Sequence, residues 1–164
     1  MKDPYIISQN WLAQSVNLDR NLVDVIEEAF VILARDKITI PTIQQIPLAE
    51  VGAQVCVKSA YVPKLAYFVV KVAGHFPQNE SLGESGNQGC LCLFDSTTGR
   101  LDILLADNGL LTQLRTAASG AVAAKYLAPN SVKKVAILGA GVQAKLQLKA
   151  LALDRKSTRL NSSH

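Results

Sequence analysis

The stretch that decides the fold is VKKVAILGAGVQAKLQLKALALD, residues 132–154. The apolar run VAIL leads directly into GAGVQA, and LQLKALAL continues with the spacing of a helix. This order predicts a buried strand, a tight turn and a helix, which is the context that the G-x-G-x-x-G/A pattern requires. The glycines admit a pyrophosphate close to the backbone, and the helix N-terminus offers it free N–H groups. We predict the opening of a dinucleotide-binding domain; a tight turn without a ligand is the alternative.

Such a domain needs an Asp or Glu about 20 residues further on, at the end of a second strand, to bind the ribose. That window reads TRLNSSH and contains neither an acid nor an apolar period. We interpret residues 155–164, RKSTRLNSSH, as a non-native tail, and we expect the native protein to continue differently. The chain alone is expected to be inactive and prone to aggregation, because the first strand and helix of the domain lack neighbours that cover them.

Upstream, the sequence predicts a helix, a mostly antiparallel sheet and a linking helix. Residues 17–34 have apolar side chains at helical spacing, with Asn17 or Asp19 as the N-cap. The β-branched runs KITIP, AQVCVKSAYVP and LAYFVVKVAGHFP predict three strands, and NESLGESGNQG predicts a polar loop. CLCLFDSTTGRLDILLAD predicts a hairpin with STTG as its turn. Residues 111–127 predict a second helix with a face of small residues, which allows another backbone to approach closely.

Composition and charge exclude several classes of protein. The 164 residues are 49% hydrophobic and 18% charged, as in a globular protein. The net charge of +4 falls to +1 without the three basic residues of the last ten, so neither nucleic acid nor a membrane surface is an expected partner. The N-terminus has no signal-peptide pattern, and no run reaches the ~18 apolar residues of a membrane span, so we expect a cytoplasmic protein.

The three cysteines predict no metal site and no disulfide framework, because their number is odd and CxxC spacing is absent. Cys90 and Cys92 are two residues apart in a predicted strand and should therefore share a face. We interpret them as small apolar residues that fill space.

Five phrases, in this order, resemble the ornithine cyclodeaminase/μ-crystallin family: VKSAYVP, YFVVKVAGHFPQN, LFDSTTG, ADNGLLTQLRTAASGAVAAKYLA and VAILGAGVQA. Cyclodeaminases of the ectoine-utilisation type are the most similar branch, and the resemblance runs from about residue 20 to residue 153. It implies an α/β subunit. Residues 1–128 would form an α+β substrate-binding and dimerisation domain with a mostly antiparallel sheet and a linking helix. Residues 129–154 would form the first β-turn-α of a Rossmann NAD-binding domain.

The resemblance implies an NAD-dependent cyclodeaminase that converts L-ornithine or a related diamino acid to a cyclic imino acid such as proline, with loss of ammonia. NADP is the alternative cofactor, and the whole protein is expected to be a homodimer. Two other functions stay open. One is an NAD(P)H-dependent imine or ketimine reductase, or an amino-acid dehydrogenase, on the same scaffold. The other is a ligand binder without catalysis, as in the crystallin branch.

Two cations are the predicted catalytic and substrate-binding residues. Lys71 lies among valines in FVVKV, where a lysine is unusual unless the position faces solvent. Arg115 lies in the first turns of a predicted helix, where the helix dipole disfavours a cation. The resemblance implies that Lys71 contacts the substrate and that Arg115 contacts both substrate and cofactor. Lys58, in VCVKSAY, has a similar setting but is not assigned a role.

The remaining predicted site residues also rest on the resemblance. The cofactor would lie against Gly139, Ala140, Gly141, Val142 and Gln143. Ser85 or Gln88 would lie on the nicotinamide side, and Ser85 is the predicted cofactor contact.

Gln45 or Gln44 occupies the position where some members of the family bind the substrate carboxylate with an arginine, and Gln45 is the predicted substrate contact. A glutamine brings no charge, which puts ornithine itself in doubt. His75 is predicted to be structural, and the catalytic aspartate and the ribose-binding acid of the family are expected outside this chain.

Overall fold

The computed structural model describes residues 3–129 and 131–154. The elements of regular structure are β1 (Tyr5–Ser8), α1 (Gln9–Ser15), α2 (Arg20–Arg35), β2 (Gln44–Leu48), β3 (Ala53–Ala60), β4 (Tyr67–His75), β5 (Asn87–Asp95), β6 (Leu101–Ala106), α3 (Leu110–Leu127) and α4 (Val142–Asp154), with short 3-10 helices at Ala49–Val51 and Pro77–Leu82. The interpreted tail, residues 155–164, lies outside the described residues.

The chain divides into two compact units. The first contains the described residues up to Val16 together with Leu33–Leu110. The second contains Asn17–Ile32 and the described residues from Leu111 onward. Each unit therefore contains two separate segments of the chain. The predicted domain boundary after residue 128 stays a prediction.

The first unit is built on a six-stranded sheet with the order β1-β6-β5-β4-β3-β2. β1 runs parallel to β6, and every other neighbouring pair is antiparallel. The mixed α/β class and the mostly antiparallel sheet are therefore confirmed. β3 and β4 lie where the sequence predicts them, in runs that contain several valines and so suit a pleated surface. The β5–β6 hairpin is also present, but β5 begins at Asn87 and so includes the last three residues of the predicted polar loop.

The turn of the β5–β6 hairpin is held by one carboxylate. Asp95 accepts hydrogen bonds from the backbone N–H of Thr97 at 3.0 Å and of Thr98 at 2.7 Å. Gly99 has a φ of +71°, which a glycine adopts without strain. The predicted STTG turn is confirmed.

The prediction of a strand at KITIP is wrong. Thr39 forms one isolated bridge to Tyr61, and no regular strand follows. Pro41 has no N–H to donate to a ladder, which interrupts pairing along this edge of β3. The edge is occupied instead by β2, which was not predicted because its QQIPL sequence alternates weakly and contains a proline.

The prediction of a buried strand over residues 132–138 is also wrong. These residues form no strand, and Leu138 is 97% exposed. A parallel strand is stable only when neighbouring strands pair with it and helices cover it. Among residues 3–129 and 131–154, no strand pairs with this segment.

The described residues of the second unit lie mainly in three helices, namely most of α2 together with α3 and α4. The predicted first helix is confirmed as α2, and the N-cap is Asp19 rather than Asn17, since Asp19 Oδ1 accepts from the N–H of Leu22 at 2.9 Å. Ala117, Ala118 and Ala121 of α3 are fully buried and pack with Val23 and Ala150. The predicted face of small residues is therefore the core of this unit, where small side chains let helices approach closely.

Glycine at position 89 fixes how closely β5 approaches β4. Its φ is +154°, and a Cβ added there would overlap the carbonyl oxygen of Val72. We expect Gly89→Ala to lower the free energy of unfolding by about 2–4 kcal/mol, because backbone strain and steric overlap act together. Urea denaturation measures the change. Gly99→Ala is the matched control, since its φ is also positive but an added Cβ meets no atom within 4 Å. Equal losses in the two variants would contradict the overlap.

The ion pair between α2 and α3 makes the stability of the second unit depend on pH. Lys125 Nζ lies 2.6 Å from Glu27 Oε2, and the Tyr126 hydroxyl donates to Glu27 Oε1. These two hydrogen bonds hold the pKa of Glu27 below its ordinary value. A carboxyl whose pKa is lowered by folding stabilises the protein above its unfolded pKa, and this contribution is lost as the pH falls through the folded pKa.

We expect Glu27→Gln to lower the urea midpoint at pH 7 and to lower it less at pH 3, because the stabilisation by the carboxylate is lost as the pH falls through the folded pKa of Glu27. Urea titrations at the two pH values give the comparison. Glu28→Gln, at an exposed position of the same helix, should change neither midpoint. A loss in Glu27→Gln that is equal at both pH values would count against the ion pair.

Candidate functional site

Lys71 lies at the centre of the six-stranded sheet. It is the fifth residue of the nine in β4, and it is half-buried. Its direct partners are Lys58 on β3 and Leu91 on β5. Directly opposed residues of neighbouring strands project from the same face of a sheet. Lys58 and Lys71 therefore share a face, which we call the lysine face, and Leu91 forms its apolar side.

Gln45 also projects from the lysine face. It pairs with Cys56 of β3, and Cys56 pairs with Ala73 of β4, two residues beyond Lys71. Gln44, as the neighbouring residue of the same strand, projects from the opposite face. The register thus brings Gln45 and Lys71 together on one surface and separates Gln44 from it. The substrate-binding roles of these residues stay predictions.

Ser85 and Gln88 stabilise the loop that leads into β5. The Ser85 hydroxyl accepts from the N–H of Asn87 at 3.1 Å. The Ser85 carbonyl accepts from the side-chain amides of Asn79 at 3.1 Å and Gln88 at 3.0 Å. These bonds give both predicted residues a local structural function, and the cofactor contact of Ser85 stays a prediction. His75 is exposed at the end of β4.

A buried acid that the sequence reasoning did not single out lies at the end of β6. Asp107 is 1% exposed and directly precedes the turn into α3. Burial is the main cause of a raised pKa of the Cys90 thiol, Cys92 adds to it, and the charge of Asp107 makes the smallest contribution. A raised pKa disfavours the thiolate, so a nucleophilic role of Cys90 is unfavourable. The sequence does contain a signal for this residue, because Asp107 follows an apolar strand and precedes an Asn-Gly turn.

In the second unit, the glycine turn is open to solvent. Gly139 has a φ of +104°, and an added Cβ at Gly139 or Gly141 would meet no atom within 4 Å. α4 begins directly after it at Val142. The first N–H groups of a helix have no partner within the helix, so this turn and helix start provide donors for a phosphate group. The geometry of residues 139–143 fits a pyrophosphate, although the strand that usually precedes such a turn is absent from the described residues.

Two glutamines hold α4 against α3. Gln143 Nε2 donates to the carbonyl of Gln113 at 3.2 Å, and Gln147 Nε2 donates to the carbonyl of Thr116 at 3.2 Å. Gly120 allows this approach, since a Cβ there would overlap the Gln147 amide. The side-chain amide nitrogen of Gln143 is thus bonded to α3. Its buried Oε1 has no hydrogen-bond partner among the described residues. Gln143 can therefore contact a ligand only through its backbone and this oxygen.

Arg115 is exposed in the second turn of α3. It is two residues beyond Gln113, which corresponds to about 200° around the helix axis. Arg115 therefore projects from the side of α3 that faces away from α4. Its predicted catalytic role and its contacts with substrate and cofactor stay predictions, as do the cofactor contacts of the glycine turn.

Other features of the described residues add no second site. An apolar groove of about 520 Å³ beside β1 is lined by Tyr5, Ile6, Ile7, Ser8, Trp11 and Ile103, none of which is a predicted site residue. Within residues 3–129 and 131–154, no helix combines the length and hydropathy needed to cross a membrane. The same residues contain no group of three His, Cys, Asp or Glu side chains placed to hold a metal ion.

A mostly antiparallel sheet with a central lysine, followed along the chain by a glycine turn that opens a helix, defines a two-unit α/β protein with a candidate phosphate-binding turn. The chain belongs to the ornithine cyclodeaminase/mu-crystallin family, whose sequence profile matches residues 3–161. The predicted resemblance is confirmed.

Two relatives are almost equally similar to this chain, but their names indicate different reactions. A protein of Rhizobium meliloti with the provisional name of a dehydrogenase is 43% identical over 92% of this chain and 46% of its own length. An uncharacterised cyclodeaminase of Sinorhizobium fredii is 42% identical over the same shares of the two chains. The chain spans about half the length of the curated relatives it matches.

A solved structure of Δ1-pyrroline-2-carboxylate reductase from Thermococcus litoralis, in complex with NADH and L-proline, matches with a TM-score of 0.84 and 28% identity. The match covers 92% of this chain and 46% of that protein. The family therefore contains both reductases and cyclodeaminases on one scaffold, and similarity alone does not choose between them.

Proposed function

We propose that the whole protein is an NAD(H)-dependent enzyme that transfers a hydride at the α-carbon of a small amino or imino acid. The observation that carries this proposal is the match, over 92% of the chain, to a reductase solved with NADH and L-proline. The half-buried Lys71 on the lysine face supports it, because an ammonium at the centre of a sheet suits an anionic substrate.

NAD(H) is the cofactor, and NADP(H) is the alternative. Backbone N–H groups of residues 139–143 bind the pyrophosphate at the start of α4, where the helix dipole favours an anion. The bound cofactor supplies or accepts the hydride. The side chain of Gln143, bonded to Gln113, fixes the position of this helix start against α3. No residue for the ribose hydroxyls is assigned within the described residues.

Lys71 binds the substrate carboxylate and so sets the position of the α-carbon. Holding a reacting carbon in place accounts for a large part of catalysis in hydride transfer, because the chemical step itself belongs to the cofactor. Arg115 supplies a second cation whose planar guanidinium suits a carboxylate or a phosphate. Gln45 adds a neutral hydrogen-bonding group on the face of Lys71.

Net reduction of an imine is the reaction that we favour. The bound cofactor would supply the hydride, and the imine would take it up at carbon together with a proton at nitrogen to become an amine. Gln45 brings no negative charge to bind the terminal ammonium of a diamino acid. Cyclising deamination is the second candidate, and the 42% identity to a named cyclodeaminase favours it. In that reaction the hydride is returned and ammonia leaves, without net oxidation.

We also propose that the whole protein acts on a small molecule, forms a homodimer and is cytoplasmic. These proposals concern the whole protein, because the two relatives are about twice as long as this chain.

The first test separates the two reactions. We expect the whole protein to oxidise NADH in the presence of an imino acid, measured as loss of absorbance, and to release little ammonia from L-ornithine with NAD⁺. Ammonia release from ornithine without net change in NADH would identify the cyclodeaminase instead. Tight ligand binding with neither activity would identify a binder without catalysis.

The second test concerns the glycine turn. Gly141→Val should weaken NADH binding by at least about tenfold, because the side chain occupies the space in which the pyrophosphate approaches the backbone. Fluorescence titration of NADH measures the dissociation constant. The melting temperature should be unchanged, because the surroundings of Gly141 are open. Unaltered NADH affinity would show that the turn does not bind the cofactor.

A further inference from the structure

Two hydrogen bonds join α4 to α3 at points one helical turn apart. Gln143 and Gln147 are four residues apart on α4, and they donate to the carbonyls of Gln113 and Thr116, which are three residues apart on α3. Both spacings correspond to about one turn of a helix. In each helix the lower-numbered residue belongs to the same bond, so the two helices run in the same direction here. The glycine turn before α4 therefore lies toward the same end as the start of α3.

The bond of Gln147 depends on the absence of a side chain at position 120. Gly120 lies four residues beyond Thr116, on the same face of α3. A Cβ at this position would overlap both the oxygen and the carbon of the Gln147 side-chain amide. A glycine inside a helix is less favourable than an alanine. α3 thus has an unfavourable residue at the one position where it leaves space for the Gln147 amide.

The two glutamine bonds are not needed to satisfy the backbone of α3. Inside a helix, the carbonyl of each residue already accepts from the N–H four residues further on. Gln113 and Thr116 both lie within α3, so Gln143 and Gln147 use the second lone pair of each carbonyl oxygen. What these bonds add is a fixed position of one helix relative to the other.

The turn of α3 that contains Arg115 receives further bonds of this kind. Thr116 Oγ1 donates to the carbonyl of Thr112 at 2.7 Å, and Ser119 Oγ donates to the carbonyl of Arg115 at 2.8 Å. The carbonyls of residues 112, 113, 115 and 116 therefore each accept a side-chain hydrogen bond, and α4 supplies two of the four donors. The backbone that carries Arg115 is held from both its own helix and the helix of the glycine turn.

We propose that Gln147, in the space left by Gly120, is a positioning residue that aligns the glycine turn with Arg115, so that one bound NAD(H) contacts both. This assignment rests on the proposed cofactor site. Helical side chains point toward the helix N-terminus, so the Arg115 guanidinium extends toward the end of α3 at which the glycine turn lies.

Gln147 acts through α3 rather than through contact with the cofactor. A single bond, from Gln143, would fix one point of α4 on α3 and leave the direction of α4 free to change. A second bond one turn away also fixes that direction, and with it the place of the glycine turn. Alignment matters because the reaction requires cofactor and substrate to be held in one geometry.

The test is a double-mutant cycle on NADH binding by the whole protein, and it needs no turnover. Gln147→Met keeps an unbranched side chain of similar length but removes the amide donor. We expect Arg115→Gln to raise the dissociation constant of NADH at least about tenfold in the otherwise unchanged protein, and by less than about threefold in the Gln147→Met background. Fluorescence titration gives the four dissociation constants. Equal effects of Arg115→Gln in the two backgrounds, or no effect in either, would overturn the proposal.

A second set of variants separates alignment from stability. Gly120→Ala displaces the Gln147 side chain, so it should lower the melting temperature of the protein without NADH and reduce the effect of Arg115→Gln. Gly120→Ala/Gln147→Ala removes the overlap and places a good helix former at position 120. This double variant should regain the melting temperature but not the effect of Arg115→Gln. If it regains both, the bond to Thr116 serves stability alone and the proposal is wrong.

Arg20→Gln is the matched control. Arg20 also holds α4, because its Nη2 donates to the carbonyl of Leu153 at 2.8 Å, but it does so from α2 and at the other end of α4. This variant should lower the melting temperature and leave the tenfold effect of Arg115→Gln intact. A reduction of that effect as large as in Gln147→Met would contradict a specific role of Gln147.

The outcomes also distinguish this proposal from the proposed function. If no imine is reduced but the effects of Arg115→Gln and Gln147→Met on NADH binding are not additive, the positioning role stands and the proposed reaction is wrong. If imines are reduced and the two effects are additive, the reaction stands and Gln147 is not a positioning residue. Absence of NADH binding would overturn both.

Discussion

The antiparallel register of β3, β4 and β5 is the constraint on which the candidate site depends. It makes Lys71 face the same way as Lys58 and Gln45, and a slip of one residue would turn Lys71 to the opposite face. Gly89 contributes to this register, because β5 approaches the backbone of Val72 too closely for any other residue. Gly89 on β5 thus helps to hold Lys71 in place on the neighbouring strand β4.

The second unit depends on a different constraint, the close approach of α4 to α3. Small buried residues such as Ala117 and Ala121 permit it, and Gly120 leaves the space that the Gln147 amide fills. The start of α4, and with it the glycine turn, is therefore positioned by a helix. In a complete dinucleotide-binding domain a strand pairing also holds this turn. At this junction, the buried side-chain oxygen Oε1 of Gln143 has no hydrogen-bond donor among the described residues.

The sequence predicts an element correctly where a local pattern is strong, and it predicts wrongly where the formation of a strand depends on pairing with another strand. α2, α3 and the β5–β6 hairpin follow from periodicity and turn residues, and the family follows from phrases such as LTQLRTAA. The run VKKVAIL has the composition of a buried strand, yet a strand exists only with a partner, and the described residues provide none. The strand predicted at KITIP does not form, because Pro41 interrupts the hydrogen-bonded ladder. β2 forms because it pairs with β3, and its own sequence does not predict a strand.

The sequence by itself determined the family, the glycine turn and the candidate residues Lys71, Gln45 and Arg115. The tertiary structure decided which of these share a surface, choosing Gln45 over Gln44 for the face of Lys71 and placing Lys58 directly opposite it. The physical reason is that the two-residue period of a strand gives the relative faces within that strand only. Which residue lies opposite on the next strand depends on register, and register is set by contacts between segments far apart in the chain.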